Sequence, residues 1–485
     1  MKSKKILFTI PKVKSMYGDN HAKPLYPHVG IAYLTAILKK LGYSIKIFDD
    51  GVENDIQKLT KLIKSYKPDL IGITGFSYAY GYFEELIKTI RSTTSTPIIA
   101  GGPHVSAVGK QILIDTPANF AMISEAEISF PLFLKEFFSS KPNYQNIPGL
   151  IWQKNKQIIV NKKSPYIIKL DEIPFPDFNA FKFNLYPCYQ EKIIPIITSR
   201  GCPYGCTYCS VRLSMGQCFR PRSAQNVFDE IKYWYDQGFN RLDINDDCFT
   251  LDLKRSEDIC DLIINHKINL TIQLYNGIRV DRISKNLLYK LKQAGCVFIS
   301  YGCESGSQKI INKIHKNITL KQVKDAVNLT NKVGIKNAVN FIIGHQGETY
   351  RDALKTLKFA QSLNSNFVNF YNLVPYPGTE VYDWAIKNAK FLVPKDTFLK
   401  DISYRDNIPI FETKEFTAKQ KTEIMKIGFN LYEKKLFKFR LGKNLGFLVY
   451  LITRNQTIAK LSHSLIKNKF FNLLLSNLTK KSKSK

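Results

Sequence analysis

An apolar, β-branched run, Ile193-Ile194-Pro195-Ile196-Ile197, leads straight into Thr198-Ser199-Arg200-Gly201-Cys202-Pro203-Tyr204-Gly205-Cys206-Thr207-Tyr208-Cys209-Ser210. The run reads as a buried strand, so the three cysteines sit on a loop leaving a strand end. Gly201, Pro203 and Gly205 let that loop turn tightly, which brings three thiolates onto one small object. A structural zinc takes four protein ligands, and no Cys or His pair follows at zinc spacing. A cubane iron–sulfur cluster normally takes four thiolates, so three would leave one iron open to a small molecule. Three unrelated buried cysteines are the plain alternative.

The chain around this loop has a regular period. Strands are expected at 193–198, 241–246, 270–275, 297–303, 337–343 and 366–373. Helices are expected between them, at about 223–237, 254–265, 284–294, 319–333 and 349–363. Six βα units fall short of a full eight-unit barrel, and active groups belong at the carboxyl ends of the strands. Polar residues do gather there, at Asp246-Asp247, Arg279, Glu304-Ser305 and Ile343-Gly344-His345-Gln346-Gly347-Glu348. Each tip alone has a bland reading as a helix cap.

The cysteine stretch resembles the signature of the radical S-adenosylmethionine (SAM) superfamily. The resemblance implies a [4Fe-4S] cluster on Cys202, Cys206 and Cys209, with SAM on the open iron. It further implies cleavage of SAM to a 5′-deoxyadenosyl radical that abstracts hydrogen from a substrate. By the same resemblance Tyr208 packs near adenine, and Asp246 and Asp247 lie where the methionine amino group is recognised. Glu304 and Ser305 lie where the methionine and ribose are held, and adenine stacks on Ile343 and Gly344. Arg279 suits the SAM carboxylate, since a guanidinium forks onto carboxylate; a structural ion pair with Asp281 or Asp247 is its alternative.

Residues 1–140 alternate short apolar runs with helical patterns, which predicts a doubly wound parallel sheet. Such sheets bind ligands outside the carboxyl ends of their strands. The loops there are Thr74-Gly75-Phe76-Ser77 and Gly101-Gly102-Pro103-His104. No G-x-G-x-x-G follows the first strand, which argues against a dinucleotide. Together with the cysteine loop, this half resembles the cobalamin-binding domain of the B12-dependent radical SAM family. The resemblance rests on Pro27 to Leu34, on the two loops, and on Ser124-Glu125-Ala126-Glu127, which is often Gly-Glu-Gly-Glu in the family. It makes Thr74, Ser77, Gly101, Gly102, Pro103 and His104 cobalamin-binding candidates. The D-x-H-x-x-G motif is absent, so no histidine ligand to cobalt is expected.

The remaining segments are a connector at 141–190 with a hairpin at Gly149–Trp152 and Gln157–Val160, a barrel domain at 191–380, and a helical region at 381–485. The fold class is therefore α/β: a cobalamin-type doubly wound sheet, a partial (β/α)6 barrel and a helical C-terminal region. Net charge is +31. Residues 431–485 hold thirteen lysines or arginines against the single acid Glu433. Apolar clusters at Leu445–Ile452 and Phe470–Leu475 alternate with those charges, a pattern suited to peripheral contact with an anionic membrane. Its bland counterpart is a lysine-rich cap on the barrel. Nucleic acid is a poor fit, because the aromatics cluster with aliphatics instead of spacing out as stacking platforms. No secretory h-region follows Met1-Lys2-Ser3-Lys4-Lys5, and six of the nine cysteines are isolated; a reducing cytoplasm, at most the inner face of a membrane, is the expected compartment.

The resemblance implies C-methylation of an unactivated carbon in a lipid, isoprenoid-like or other small molecule. It also implies a reductant such as flavodoxin or ferredoxin. A ring-forming or oxidative cyclase with the same cofactors is the alternative, and a non-catalytic corrinoid-binding protein is a third reading. A methylthiotransferase is disfavoured, since residues 1–180 contain no cysteine for a second triplet.

Overall fold

The computed structural model describes residues 3–13, 23–163, 166–394, 397–399 and 408–453. Its first sheet is built on β1 (Lys5–Ile10), β2 (Ser44–Asp49), β3 (Leu70–Thr74), β4 (Ile98–Gly101) and β5 (Phe120–Met122). These are parallel and stand in the order β2-β1-β3-β4-β5. β3 reads Leu-Ile-Gly-Ile-Thr and is buried at every position, as a parallel strand covered on both faces must be. The chain leaves β1 in one direction to β2 and returns to β3 on the other side. A crevice therefore opens at the carboxyl ends of β1 and β3.

The hairpin β6 (Leu150–Lys154) and β7 (Gln157–Val160) is not a separate connector. Ala121 and Met122 of β5 pair antiparallel with Ile151 and Leu150, which extends the first sheet to seven strands. Without it β5 would present an open edge of unpaired backbone groups. Residues 166–190 then strap the two halves together. Asp177 pairs with Lys39 at 2.7 Å on the first helix, while Phe178 packs 5.5 Å from the Trp234 ring on a barrel helix. Tyr186 donates to the buried Asp49 at 2.6 Å.

The second sheet comprises β8 (Ile193–Ile196), β11 (Arg241–Ile244), β12 (Thr271–Ile278), β13 (Cys296–Glu304), β14 (Lys336–Ile343) and β15 (Phe367–Asn372). Between β8 and β11 lies a two-stranded ribbon of β9 (Ser199–Arg200) and β10 (Arg220–Pro221). The large sheet is wholly parallel in the order β15-β14-β13-β12-β11-β8, and it stays open with β15 and β8 as its edges. The helices after its strands start on side-chain caps where the pattern predicts them, at Ser223, Asp252, Ser284, Thr319 and Thr349. Thr319 and Thr349 form full capping boxes, which hold two otherwise orphaned N–H groups each.

Helix Ala418–Leu441 lies along β15, with Ile424 and Met425 buried. Gly428 permits the approach, because a Cβ there would stand 2.7 Å from the Phe370 ring. Helix Lys443–Thr453 keeps Leu445, Phe447, Leu448 and Leu451 about half exposed. No helix among the described residues is long and apolar enough to cross a membrane. The Phe470–Leu475 cluster and the lysine tail lie outside the described residues.

Candidate active site

The cysteine loop is held at its neck by the β9–β10 ribbon. Gly201 sits at φ +80°, where a Cβ would run into the Cys218 carbonyl, so only glycine fits this turn. Asp246, at the end of β11, fixes the loop's entry. Its Oδ1 accepts from Thr198 N at 2.6 Å, and its Oδ2 accepts from Thr198 Oγ1 at 2.6 Å and Ser199 Oγ at 2.5 Å. Both oxygens are thereby occupied. Asp247 beside it accepts, among the described residues, from Gly201 N alone, at 3.3 Å through Oδ2. Burial, reinforced by Asp246, pushes the Asp247 carboxyl up to about 7.

Cys202, Cys206 and Cys209 are all free thiols. The neighbouring Cys248 thiol, helped by Arg279 and Lys316, holds Cys202 below the ordinary thiol value. Burial raises Cys206 and lifts Cys209 to about 12. Arg279 is already committed. It forks onto Asp281 at 2.9 and 3.2 Å, donates to the Lys316 carbonyl at 2.8 Å, and lies 3.5 Å over the Tyr204 ring. Glu304, at φ +71°, pairs with Lys316 at 2.8 Å, and the same ammonium reaches Tyr208 Oη at 3.3 Å. Ser305 turns the other way, towards Thr356 Oγ1 at 3.2 Å on the helix behind β14. Gly344, at φ +104°, donates to Glu348 at 2.6 Å, and the Ile343 carbonyl accepts from Leu373 N at 2.9 Å.

Three residues to which sequence reasoning gave no role complete this mouth. Lys316 is one. His345 is another: it is 2% exposed, its ring lies 5.4 Å from Tyr208 and faces the Glu304 backbone, and neither nitrogen makes a full hydrogen bond among the described residues. Lys421, from the C-terminal helix, comes close enough to Gly344 that a Cβ there would meet its Nζ at 3.0 Å. Lys316 and Lys421 follow no period in the sequence, so no pattern announces them, whereas His345 stands among the polar residues after the fifth barrel strand with no role attached.

A buried ion cluster ties the cysteine loop to the first domain. The ribbon register sets Arg200 directly opposite Arg220, an arrangement that repels. Glu125 relieves it, with one oxygen 3.2 Å from Arg200 and the other 2.7 Å from Arg220. Glu127 adds a 2.6 Å contact to Arg200. All four side chains are at most 9% exposed. The two acids of Ser124-Glu125-Ala126-Glu127 thus serve the domain junction, and Ser124 adopts φ +67° where glycine would be easier.

In the first domain the two glycine loops lock together. Gly75 N donates to the Gly101 carbonyl at 3.1 Å, and His104 N donates to the Gly75 carbonyl at 3.1 Å. At Gly102, φ +100°, a Cβ would come within 2.6 Å of Thr74 Oγ1. His28 Nδ1 accepts from Ile31 N at 3.3 Å, and its Nε2 lies 3.4 Å from Thr74 Oγ1. His104 Nδ1 lies 3.0 Å from Ser77 Oγ. Burial holds both imidazoles down at about 4. The short helix Pro103–Val108, which opens on the Gly101-Gly102 loop, packs against helix Val211–Ser214, which closes the cysteine loop.

Residues 196–360 match the Radical SAM superfamily, and residues 20–134 match the B12 binding domain. The uncharacterized methyltransferase PH0819 of Pyrococcus horikoshii is 30% identical over 93% of this chain and 97% of its own length. The chain belongs to the B12-binding radical SAM superfamily. The anaerobic magnesium-protoporphyrin IX monomethyl ester cyclase of Rubrivivax gelatinosus is 25% identical over 78% of this chain and 69% of its own. Among solved structures, the radical SAM methyltransferase TsrM of Kitasatospora setae, with cobalamin and a [4Fe-4S] cluster bound, has a TM-score of 0.70. It is 16% identical and covers 95% of this chain and all of its own length. That likeness is one of fold.

The protein is a radical SAM enzyme, and the superfamily's cofactors are a [4Fe-4S] cluster, SAM and cobalamin. The residues present fit all three. The donor set of three free thiols has the cations Arg279 and Lys316 beside it, which offset the charge of an anionic thiolate cluster. At the carboxyl end of β14 the side chains of His345 and Gln346 hold buried polar atoms with no full hydrogen bond among the described residues, and each such atom costs about 1–3 kcal/mol unless a polar ligand meets it. In the first domain the crevice loop stands open at Gly101, where a Cβ would meet nothing nearer than the Met122 carbonyl at 3.9 Å, which leaves room for a planar ring against the backbone.

The commitments of His28 and His104 lead to one expected result. The Co(II) form of the bound cobalamin should show no protein histidine nitrogen in its electron paramagnetic resonance spectrum. A nitrogen coupling that disappears in His104→Ala would contradict this.

Proposed function

We propose that this protein methylates an unactivated carbon of a small molecule. The observation that carries the reading is the abutment of the Pro103–Val108 and Val211–Ser214 helices, which sets the glycine loops of the first domain against the cysteine loop of the second. A carbon with no nucleophilic character needs hydrogen-atom removal and a methyl donor at one place. When bound, the three cofactors supply those two chemistries.

The chain's own residues hold and order the parts. Cys202, Cys206 and Cys209 are the cluster ligands, and the Asp246 clamp on Thr198 and Ser199 fixes their loop. Asp247, with one oxygen uncommitted among the described residues, suits the methionine ammonium, whose charge would bring the carboxyl back to its ionised form. Glu304 holds Lys316, and Lys316 steadies Tyr208 beside His345, a platform of the right size for adenine. A one-electron donor such as flavodoxin or ferredoxin would approach the cysteine loop.

The experiment is incubation of anaerobically reconstituted protein with trideuteromethyl SAM and a metabolite extract. A product carrying one intact trideuteromethyl group is expected. An unlabelled product that has only lost hydrogen would favour the cyclase reading, for which the Rubrivivax relative is the precedent.

A further inference from the structure

The two sides of the second sheet are used differently. On the helix side of β13, Tyr301 hydrogen-bonds Thr330 at 2.6 Å and Cys303 is fully buried. By strand alternation the opposite side carries Phe298, Ser300 and Gly302, and past a bulge after Gly302 the Glu304 carboxylate stands over that same side. Phe298 and Ser300 line a cavity of about 500 Å3, a volume suited to a drug-sized molecule.

Neutral amides and a hydroxyl cross the cavity's wall as a ladder. Asn369 on β15 donates from Nδ2 to Asn340 Oδ1 at 2.8 Å, and Asn340 on β14 donates from Nδ2 to Ser300 Oγ at 2.8 Å. Each amide offers two N–H groups and two lone pairs, so these bonds leave donors and acceptors over on both. The flanking walls are aromatic: Tyr275 packs 4.9 Å from Phe298, and Phe439 of the C-terminal helix packs 4.9 Å from Phe367. Lys336 is the one charged side chain in the lining among the described residues, and its Nζ stands 4.8 Å over the Phe439 ring.

This lining discriminates. A bare hydrocarbon would leave the amides facing apolar surface, and a site built to hydrogen-bond rejects the analogue that lacks the group. A polyanion would find no arginine and a single lysine. A flat, uncharged molecule with adjacent donor and acceptor meets both the ladder and the walls. Ser300 lies four residues below Glu304, about 13 Å at strand rise. Between them lies Gly302, and the Glu304–Lys316 pair of the cysteine mouth stands directly over it, 2.5 and 3.0 Å from where a Cβ would lie, so the upper end of the cavity wall borders that mouth.

We propose that this cavity is the substrate seat. It takes uncharged, flat molecules with a carboxamide- or lactam-type edge, read by Ser300, Asn340 and Asn369. The proposal rests on the methyl-transfer reading of the same barrel.

The test is calorimetric titration of the full-length, cofactor-loaded protein with three probes: N-acetyltryptophanamide, N-acetyltryptophan and dodecanol. The amide is expected to bind at least tenfold more tightly than the acid or the alcohol. Asn369→Leu should remove that preference, and the milder Ser300→Ala should reduce it, with cobalamin content unchanged as the check on folding. Equal or tighter binding of the acid or the alcohol, binding of none of the three, or an unaltered preference in Asn369→Leu would overturn the proposal. Because the readout is binding without turnover, such a failure alongside intact trideuteromethyl transfer would sink the substrate class alone.

Discussion

Cys206→Ala protein, purified without oxygen, is expected to carry no [4Fe-4S] cluster and to form no product, and so are Cys202→Ala and Cys209→Ala. The unsubstituted protein should hold about four irons per chain on one cluster. Cys218→Ala and Cys303→Ala should keep that iron, since Cys218 is exposed at the end of the loop and Cys303 faces the helix side of β13. Cys248→Ala is the sharper control, because its thiol is the neighbour that most strongly favours the Cys202 thiolate. A neighbour that only donates to a ligand sulfur tunes a cluster without holding it. Iron and sulfide analysis with the visible spectrum reads the result. A full cluster in the triple Ala variant would end the account of the loop.

The second large effect concerns the domain junction. Glu125→Ala leaves Arg200 and Arg220 opposite each other across the ribbon with Glu127 as their remaining acid. Removing one partner from a buried ion cluster costs about 3–5 kcal/mol. Denaturant unfolding should show a loss of that order, and reconstitution should load less iron, because the ribbon is the neck of the cysteine loop. Glu125→Gln preserves shape and removes charge, so it should lose nearly as much if charge is the cause. A Gln variant with unchanged stability and iron content would mean the cluster is packing only.

Much of this architecture is legible in the sequence because its signals are local. The β-branched runs, the caps at Ser223, Asp252, Ser284, Thr319 and Thr349, and the glycine turn before Cys202 each act within a few residues. The six barrel strands and their helices follow from that period. Long-range pairings left no such trace. The hairpin's attachment to β5 depends on which edge stands open. Glu125 meets Arg200 and Arg220 across separations of 75 and 95 residues. The same limit applies to single tips: Asp246 and Asp247 look alike in sequence, yet one has both oxygens bound within the loop and the other has one to spare. Arg279 likewise had two readings, and the fork onto Asp281 is the one that its geometry adopts.

The central claim is that one chain joins hydrogen-atom abstraction to methyl donation, each drawing on SAM. The most direct measurement is the yield of 5′-deoxyadenosine and S-adenosylhomocysteine against methylated product in one anaerobic reaction. The account predicts equal amounts of all three. S-adenosylhomocysteine formed with product but without 5′-deoxyadenosine, or 5′-deoxyadenosine without S-adenosylhomocysteine, would contradict it.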